Sequence, residues 1–365
     1  MKFPTLYHCD KKGKVREWNI STQGDMIITE YGERFGQSQR SEVKAKGKNI
    51  GRSNETTPEE QAIAEALSQW TKKRDTKYSE TIEGAMLTTH LPMLAHSFEK
   101  HKKRLSYPVC VQPKLDGVRC LAFWVNGKVM LMSRGGKEYN VPHISEALSK
   151  ILPEDFEFDG EIYCHGMPRQ TINSLVKKNV KASDQLEYWV YDIPTIKSST
   201  ELPWDKRLRV LLTFHKFQRD GDKVRYLDTV FAGNETEMLM HHRTYVKAGY
   251  EGVIIRTLNG LYKYGYRSRD LLKYKEFLDA EFEIVGFDEG KGKFLGKIIW
   301  VCKTANGLTF QVVPQGTMEE RAELYENASK YIGSMLTVKY QDLSIDGVPQ
   351  FPVGLGIRMT EDISD

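Results

Sequence analysis

The sequence predicts an α+β protein: a small α+β module, then a core of antiparallel sheets with flanking helices, then a C-terminal β-barrel. Three observations predict this order. A hairpin signal followed by a capped helix fills the first 75 residues, and apolar strand-like runs with intervening helical stretches begin at Pro108. Short strands separated by Gly-rich turns follow Asp279. Each pattern is typical of the element that it predicts.

The bulk composition is that of an ordinary globular protein. The chain has 365 residues, of which 40% are hydrophobic and 28% charged, so two or three domains with real cores are expected. The net charge of +4 does not by itself imply a nucleic-acid partner. Local basic clusters at residues 44–48 and 101–104 are compatible with such a partner, and equally with a solvated surface.

Cysteine usage and hydropathy predict the compartment. The five cysteines are scattered and form no Cys-x-x-Cys pair, which argues against structural zinc and for a reducing environment. The first residues lack the apolar stretch of a signal peptide, and no run is long enough to span a bilayer. We therefore expect a cytoplasmic protein that acts without a membrane. We also expect a monomer.

Residues 1–75 are predicted to form the N-terminal module. Two strand-like runs, at residues 5–9 and 15–20, flank a polar turn, and a third run follows at 26–31. A helix is then predicted to start at Thr57 and to continue to about Asp75. Its start is indicated by Thr57 as the N-cap, Pro58 in the first turn and Glu60 as the glutamate of a capping box.

Residues 76–105 are predicted to be a connection, residues 106–277 the core, and residues 278–365 the barrel. In the core, strands are expected at 118–125, 129–133, 156–163 and 186–191, and helices at 144–151, 205–217 and 236–248. In the last part, strands at 286–313 and 335–340 with a helix at 318–331 predict an oligonucleotide-binding (OB) type of barrel.

The hexapeptide Lys114-Leu115-Asp116-Gly117-Val118-Arg119 carries the clearest chemistry. A lysine between strand and turn, close to an arginine, suits an amine that attacks a phosphate, provided that nearby cations and partial burial favour its neutral form. Gly117 allows close approach of a bulky anion. A plain surface turn with Asp-Gly at its tip is the alternative interpretation.

Further segments follow in order along the chain and weaken that alternative. They are residues 133–136 (SRGG), 158–163 (FDGEIY), 188–192 (YWVYD), 251–256 (EGVIIR) and 271–275 (LLKYK). With the hexapeptide, they resemble the ATP-dependent DNA ligases, within the covalent nucleotidyltransferase superfamily. The resemblance extends from about Glu80 to Asp365. It implies a nucleotidyltransferase core and an OB-fold domain.

The resemblance implies that Lys114 takes AMP from ATP as a phosphoramidate and releases pyrophosphate. It also implies an ATP- or AMP-binding set made of Gln112, Lys114, Arg119, Arg134, Glu161, Tyr191, Glu251, Arg267, Lys273 and Lys275. Tyr191 is expected to stack on adenine, where many family members carry phenylalanine. Glu161 and Glu251 are expected to support Mg²⁺, for which Mn²⁺ is expected to substitute.

Strand alternation supports two of these assignments. Glu157, Asp159 and Glu161 share one polar strand face, and Lys273 and Lys275 project from one face of a later strand. The alternatives are that Glu251 is a strand-edge glutamate without a role, and that Lys273 and Lys275 are solvated lysines on an exposed strand face.

The C-terminal end resembles that of the small phage ligases. Residues 351–358 (FPVGLGIR) depart from the Arg-x-Asp-Lys ending of cellular ligases and capping enzymes. The residue that contacts DNA or orients pyrophosphate is therefore left open among Lys293, Lys297 and Arg358, and solvated barrel cations are an equal alternative for each.

The predicted function is the sealing of 3′-hydroxyl/5′-phosphate nicks in duplex DNA, in replication, repair and recombination, within the host cytoplasm if the chain is viral. An RNA ligase, a capping guanylyltransferase and a nucleic-acid-binding protein with a decayed core are the alternatives. An NAD-dependent ligase is disfavoured because the chain is short and lacks four zinc cysteines. The N-terminal module weakly resembles WGR-type nucleic-acid modules, and a purely structural role stays open.

Overall fold

The chain begins with a four-stranded antiparallel sheet. The computed structural model describes residues 1–10, 13–76, 78–87, 90–344 and 346–358. The first strands follow one another in the sheet as β1 (Leu6–Cys9), β2 (Val15–Gln23), β3 (Met26–Glu33) and β4 (Ser38–Lys44). Helix α1 (Pro58–Arg74) buries Ala62, Ala66 and Trp70 in the same hydrophobic cluster as Leu6, Trp18 and Ile27.

The start of α1 is as the sequence predicts. Thr57 Oγ1 accepts a hydrogen bond from the Glu60 amide at 3.2 Å, and Glu60 Oε2 accepts one from the Thr57 amide at 2.8 Å. These bonds satisfy amide N–H groups that have no hydrogen-bond partner within the first turn of the helix. Strand β4 was not predicted, because all seven of its residues are exposed and it shows no apolar alternation.

The segment that follows α1 first returns to this sheet. The amide of Tyr7 donates to the Ser79 carbonyl at 2.7 Å, and the amide of Ser79 donates back to the Tyr7 carbonyl at 2.9 Å. Helix α2 (Ile82–Leu87) comes next, and β5 (Leu94–Ser97) and α3 (Phe98–His101) then join the central region.

The central region consists of two five-stranded sheets. Its elements are β6 (Val109–Lys114), β7 (Val118–Val125), β8 (Lys128–Ser133), α4 (Pro142–Ser149), β9 (Glu157–Tyr163), α5 (Arg169–Lys178), β10 (Glu187–Thr195), α6 (Trp204–His215), β11 (Val224–Tyr226), β12 (Val230–Ala232), α7 (Glu235–Lys247), β13 (Gly252–Thr257) and β14 (Arg267–Tyr274). One sheet has the order β11-β10-β9-β7-β8 and the other β12-β6-β13-β14-β5.

Each sheet packs apolar side chains against its own helices and turns polar ones towards the other sheet. Phe158 and Tyr188 of the first sheet lie in one cluster with Ile144 of α4 and Leu208 of α6. Hydrogen bonds cross between the sheets, as from Gln112 of β6 to the Tyr191 carbonyl of β10. Polar groups of the two sheets therefore meet in part of the space between them.

The last elements form a closed barrel. They are β15 (Leu278–Glu289), β16 (Ile298–Lys303), β17 (Thr309–Pro314), α8 (Met318–Glu326), β18 (Met335–Tyr340) and β19 (Val353–Arg358). The strands are ordered β15-β16-β17-β19-β18, and β18 pairs with β15 to close the ring. This confirms the predicted barrel. The predicted helix at 318–331 is instead α8 followed by a short 3₁₀ turn at Ala328–Tyr331.

The chain divides into two units, Met1–Tyr274 and Lys275–Asp365. The predicted α+β class, with antiparallel sheets, flanking helices and a barrel, is confirmed. Within the part of the chain that the structure describes, no helix has the length and apolar character needed to cross a membrane.

Candidate active site

Lys114 and Glu251 meet because their strands are neighbours in the second sheet. Lys114 ends β6, and the register pairs it with Gly252 of β13. The Glu251 amide donates to the Lys114 carbonyl at 3.0 Å, which fixes the two backbones. The Lys114 ammonium and the Glu251 carboxylate form an ion pair, and each side chain is 20% exposed. A lysine and a carboxylate distant in sequence are thus held together at an accessible position.

Glu161 approaches the same turn from the first sheet. Its Oε1 accepts a hydrogen bond from the Gly117 amide at 3.2 Å. A Cβ atom at Gly117 would lie 2.5 Å from the Ile162 carbonyl oxygen and 2.7 Å from Cγ of Glu161. Gly117 is therefore needed for close approach of the two segments.

We expect Gly117→Ala to lower activity strongly, because the methyl group meets backbone that cannot move freely. Overpacking of this kind typically costs about 1–3 kcal/mol of folding free energy, and displacement of Glu161 is expected to reduce the self-adenylylation rate by about 100-fold. Rate and thermal unfolding measurements check both effects. Gly356→Ala is the control, since among the described residues, its two chain neighbours apart, no atom lies within 4 Å of its added Cβ. An active Gly117→Ala variant would contradict the packing argument.

Tyr191 contacts the second oxygen of Glu161. Its hydroxyl donates to Glu161 Oε2 at 3.3 Å, so each carboxylate oxygen has one protein donor. Burial raises the pKa of Glu161 to about 7, against the opposing effects of Lys114, Arg119 and the Tyr191 hydrogen bond. Glu161 therefore titrates close to neutrality.

Arg119 is held by a buried aspartate that was not among the predicted site residues. Its Nε donates to Asp159 Oδ1 at 3.0 Å and its Nη2 to Asp159 Oδ2 at 2.5 Å. The Tyr262 hydroxyl donates to the same Oδ2 at 2.7 Å. Asp159 is fully buried, whereas the Arg119 side chain is 17% exposed. Asp159 thus orients the guanidinium, which retains further N–H donors for a ligand.

Gln112 belongs to a buried network between the sheets. Its Nε2 donates to the Tyr191 carbonyl at 3.1 Å and to Thr229 Oγ1 at 2.9 Å, and its Oε1 accepts from Arg256 Nε at 2.8 Å. Arg256 also donates to Asp192 Oδ2 at 2.5 Å. The network fixes the backbone of Tyr191, so Gln112 acts as a support beneath the predicted adenine platform.

Three further arginines surround these groups. Arg134 is exposed in the turn after β8, and Arg267 begins β14 with its guanidinium donating to the Ala95 carbonyl. Partial desolvation lowers the pKa of Arg134, and the positive charges of Arg119, Arg267 and Arg169 lower it further. Arg169, the first residue of α5, lies 3.8 Å from Asp116. Such a concentration of cations suits a polyanion.

The two predicted lysines of β14 are not equivalent. Lys273 pairs in register with Ile254 of β13, which in turn pairs with Gln112 of β6, so its backbone lies two strands, or about 10 Å, from β6. Strand β14 ends at Tyr274, so Lys275 lies outside the strand and belongs to the second unit. Its ammonium donates to Gln341 in that unit.

The three predicted barrel cations occupy separate positions. Lys293 lies 5.0 Å from the ring centre of Phe294, within the loop between β15 and β16. Lys297 is half-buried at the end of the same loop. Arg358 ends β19, with its Nε 3.5 Å from Glu281 Oε1 and its side chain 66% exposed.

Some residues of the site were missed. Asp159 and Asp192 stand inside the quoted segments, next to residues that were assigned roles, and an aspartate in an apolar strand signals a buried ion pair. No local pattern marked Arg169 as a site residue, because α5, the helix that it begins, was not predicted.

Two family models match the chain. The model described as the ATP dependent DNA ligase domain matches residues 92–275, and that described as the DNA ligase OB-like domain matches residues 289–358. The first match contains the Lys114–Glu251 pair, Glu161 and Tyr191, and the second contains most of the barrel.

Known proteins are similar over most of the chain. A DNA ligase of African swine fever virus (isolate Tick/South Africa/Pretoriuskop Pr4/1996) is 32% identical over 402 residues, which cover 98% of this chain and 94% of the relative. The DNA ligase of Enterobacteria phage T4 is 26% identical, over 74% of this chain and 68% of the relative. A solved structure from a study of Lig E DNA ligases covers 73% of this chain and 98% of its own, with a TM-score of 0.60 and 22% identity.

Proposed function

The chain belongs to the ATP-dependent DNA ligases, and from that premise we propose that Lys114 is the residue that carries the adenylyl group. The observation that carries the proposal is the meeting of Lys114 with Glu251, with Glu161 bound to the same turn. A nucleophilic amine between two carboxylates and several arginines suits nucleotidyl transfer.

In the proposed first step, Nζ of Lys114 attacks the α-phosphorus of ATP. An N–P bond forms, the bond to the β-phosphate oxygen breaks, and pyrophosphate leaves with the electron pair. The ammonium must lose its proton before attack. In its free state it is paired with Glu251, whose carboxylate is the contacting group able to accept that proton.

The residues around Lys114 fit an Mg²⁺ ion, the metal that we propose. Each oxygen of Glu161 receives a single protein donor, and Glu251 adds a second carboxylate beside the same lysine. Mg²⁺ commonly uses one or two carboxylates together with substrate phosphates and water. When bound, the ion would offset triphosphate charge and favour loss of the lysine proton.

The elevated pKa of Glu161 predicts that the Mg²⁺ requirement depends on pH. As the pH falls through about 7, the carboxyl group gains a proton and loses its ability to bind metal, so more Mg²⁺ is needed for self-adenylylation. Tyr191→Phe removes a hydrogen bond that lowers this pKa, so the midpoint is expected to move up by less than about one pH unit. Mg²⁺ titrations at several pH values check this, with Tyr325→Phe as control. A midpoint that stays in place or moves down in Tyr191→Phe would contradict it.

We propose that Arg119, Arg134 and Arg267 bind phosphate or ribose groups of the nucleotide and of the DNA end. Tyr191 would support adenine, and Gln112 would act through Tyr191 rather than on the base. Lys273 and Lys275 remain our proposal for the α-phosphate, and Lys293, Lys297 and Arg358 for DNA or pyrophosphate.

The proposed substrate is nicked duplex DNA, bound by a monomer. AMP passes from Lys114 to the 5′-phosphate, and the 3′-oxygen then displaces AMP.

We further propose the division into an N-terminal module (1–75), a connection (76–105), an adenylyltransferase domain (106–277) and an OB-fold domain (278–365). The module would add phosphate contacts, which makes affinity sensitive to salt.

Labelling with α-³²P-ATP and, in parallel, α-³²P-GTP tests the function. ATP is expected to leave an acid-labile, base-stable label that nicked DNA chases from the protein. Preferential labelling by GTP would favour a guanylyltransferase. A chase by nicked or single-stranded RNA but not by nicked DNA would favour an RNA ligase.

A further inference from the structure

A salt bridge joins the end of α1 to the turn that carries Arg134. Asp75 caps the C-terminal end of α1, with its amide donating to the Thr71 carbonyl. Its Oδ1 lies 2.5 Å from Nζ of Lys137. The last carbonyl groups of a helix carry partial negative charge, so the end of α1 adds to the attraction for the Lys137 ammonium.

The turn between Ser133 and Lys137 is internally closed. The Ser133 amide donates to the Lys137 carbonyl at 2.6 Å, the Lys137 amide donates to Ser133 Oγ at 2.8 Å, and the Gly136 amide donates to the Ser133 carbonyl at 3.0 Å. Gly135 and Gly136 lack side chains that could brace it, and Gly136 has a φ of +86°. Anchoring Lys137 therefore positions the whole turn, including Arg134.

Arg134 stands at the rim of the candidate active site, because Ser133 of β8 pairs in register with Cys120 of β7, the residue that follows Arg119. Its charge interacts with Arg119, Arg169 and Arg267 and with Glu161. Its side chain is exposed, whereas Arg119 is largely enclosed. The last turn of α1, which ends at the Asp75–Lys137 salt bridge, carries Lys72, Lys73 and Arg74. An exposed arginine at the rim, in a turn that a salt bridge joins to a basic helix end, suits a polynucleotide phosphate that arrives after the nucleotide is bound.

We propose that Asp75 is a positioning residue: through Lys137 it holds the Ser133–Lys137 turn so that Arg134 faces the terminal phosphate of the DNA substrate. The N-terminal module thereby acts on the AMP-transfer step and not only on affinity. This inference rests on the proposed function, in which the 5′-phosphate of DNA accepts AMP.

Charge reversal in the full-length protein tests it. Asp75→Lys and Lys137→Asp are each expected to slow AMP transfer from the adenylylated enzyme to nicked DNA by about tenfold. Loss of an exposed ion pair alone would lower the transfer rate by at most about fivefold. Displacement of a substrate-binding group lowers the rate by more. Self-adenylylation should fall by much less than AMP transfer, because Arg119 and Arg267 still bind the nucleotide. The double variant restores the opposite charges and should recover most of the transfer rate.

Glu33→Lys is the matched control, because it breaks the comparably exposed Lys14–Glu33 pair elsewhere in the module. Wild-type transfer in both single variants would overturn the proposal, as would a double variant no better than the worse single one. An equal loss in self-adenylylation and transfer would overturn the assignment to the DNA step. Failure of the proposed function itself would appear separately, as absence of label on the wild-type protein.

Discussion

Lys114→Ala is expected to abolish self-adenylylation, because it removes the amine that pairs with Glu251 beside Glu161, and alanine offers no nucleophile in its place. Loss of a catalytic nucleophile commonly lowers turnover by about 10⁶-fold, and here the covalent intermediate itself disappears. The measurement is the protein-bound label after incubation with α-³²P-ATP and Mg²⁺, followed by mass spectrometry of the peptide containing residue 114.

Two variants make that result specific. Lys114→Arg keeps a positive charge able to pair with Glu251, but a guanidinium does not lose its proton and cannot attack phosphorus, so it should also fail to label. Lys128→Ala, at an exposed position of β8, should label normally. Label that persists in Lys114→Ala would remove Lys114 from the mechanism.

Asp192→Asn is expected to have the largest effect on stability. Asp192 is fully buried and accepts from Arg207 Nε at 2.7 Å and from Arg256 Nη1 at 2.5 Å, and both arginines are almost completely buried. Removing the carboxylate charge leaves two buried cations without their counter-ion, which costs about 3–5 kcal/mol. The melting temperature of the first unit should fall by roughly 10 °C. Asp184→Asn, at an exposed carboxylate, should change it little.

The ion pairs of Asp192 with Arg207 and Arg256 also predict how the stability of the protein depends on acidic pH. Burial alone would raise the pKa of Asp192, but Arg207 and Arg256 outweigh it and lower the pKa from the ordinary value of 3.8. The stabilisation is therefore present at neutral pH and is lost as the pH falls below about 3.8, through the native pKa. Asp192→Asn should flatten this acid limb of the stability curve. A variant with unchanged stability at pH 7 and an unchanged acid limb would contradict the assignment.

Local signals in the sequence were sufficient for the elements with regular patterns. The capping box at Thr57 and Glu60, the alternation of β9 and the Gly-rich turns between barrel strands all depend on neighbours within a few residues. Strand β4 and helix α5 lack such patterns. Strand β4 is exposed throughout, and α5 follows a proline cap with no side-chain hydrogen bond.

The sequence offered candidate residues for the site but not the contacts that they make. Residue type and the order of the motifs along the chain pointed to Lys114, Glu161 and Glu251 as candidates. Their partners depend on pairing between distant strands, which no local pattern encodes. Arg119 illustrates the difference. An arginine is a residue type suited to binding phosphate, but in the structure its guanidinium donates a hydrogen bond to Asp159.

Strand β6, which ends in Lys114, has both of its neighbours far downstream. It pairs with β12, near residue 231, and with β13, near residue 254. A nascent chain still lacking those segments at the ribosome has no partner for either edge of this strand, and no Glu251 opposite the lysine. If Lys114 acts as proposed, the growing polypeptide is expected to react with nucleotide only after most of the first unit has been synthesised. This late, long-range pairing is also expected to limit its folding rate.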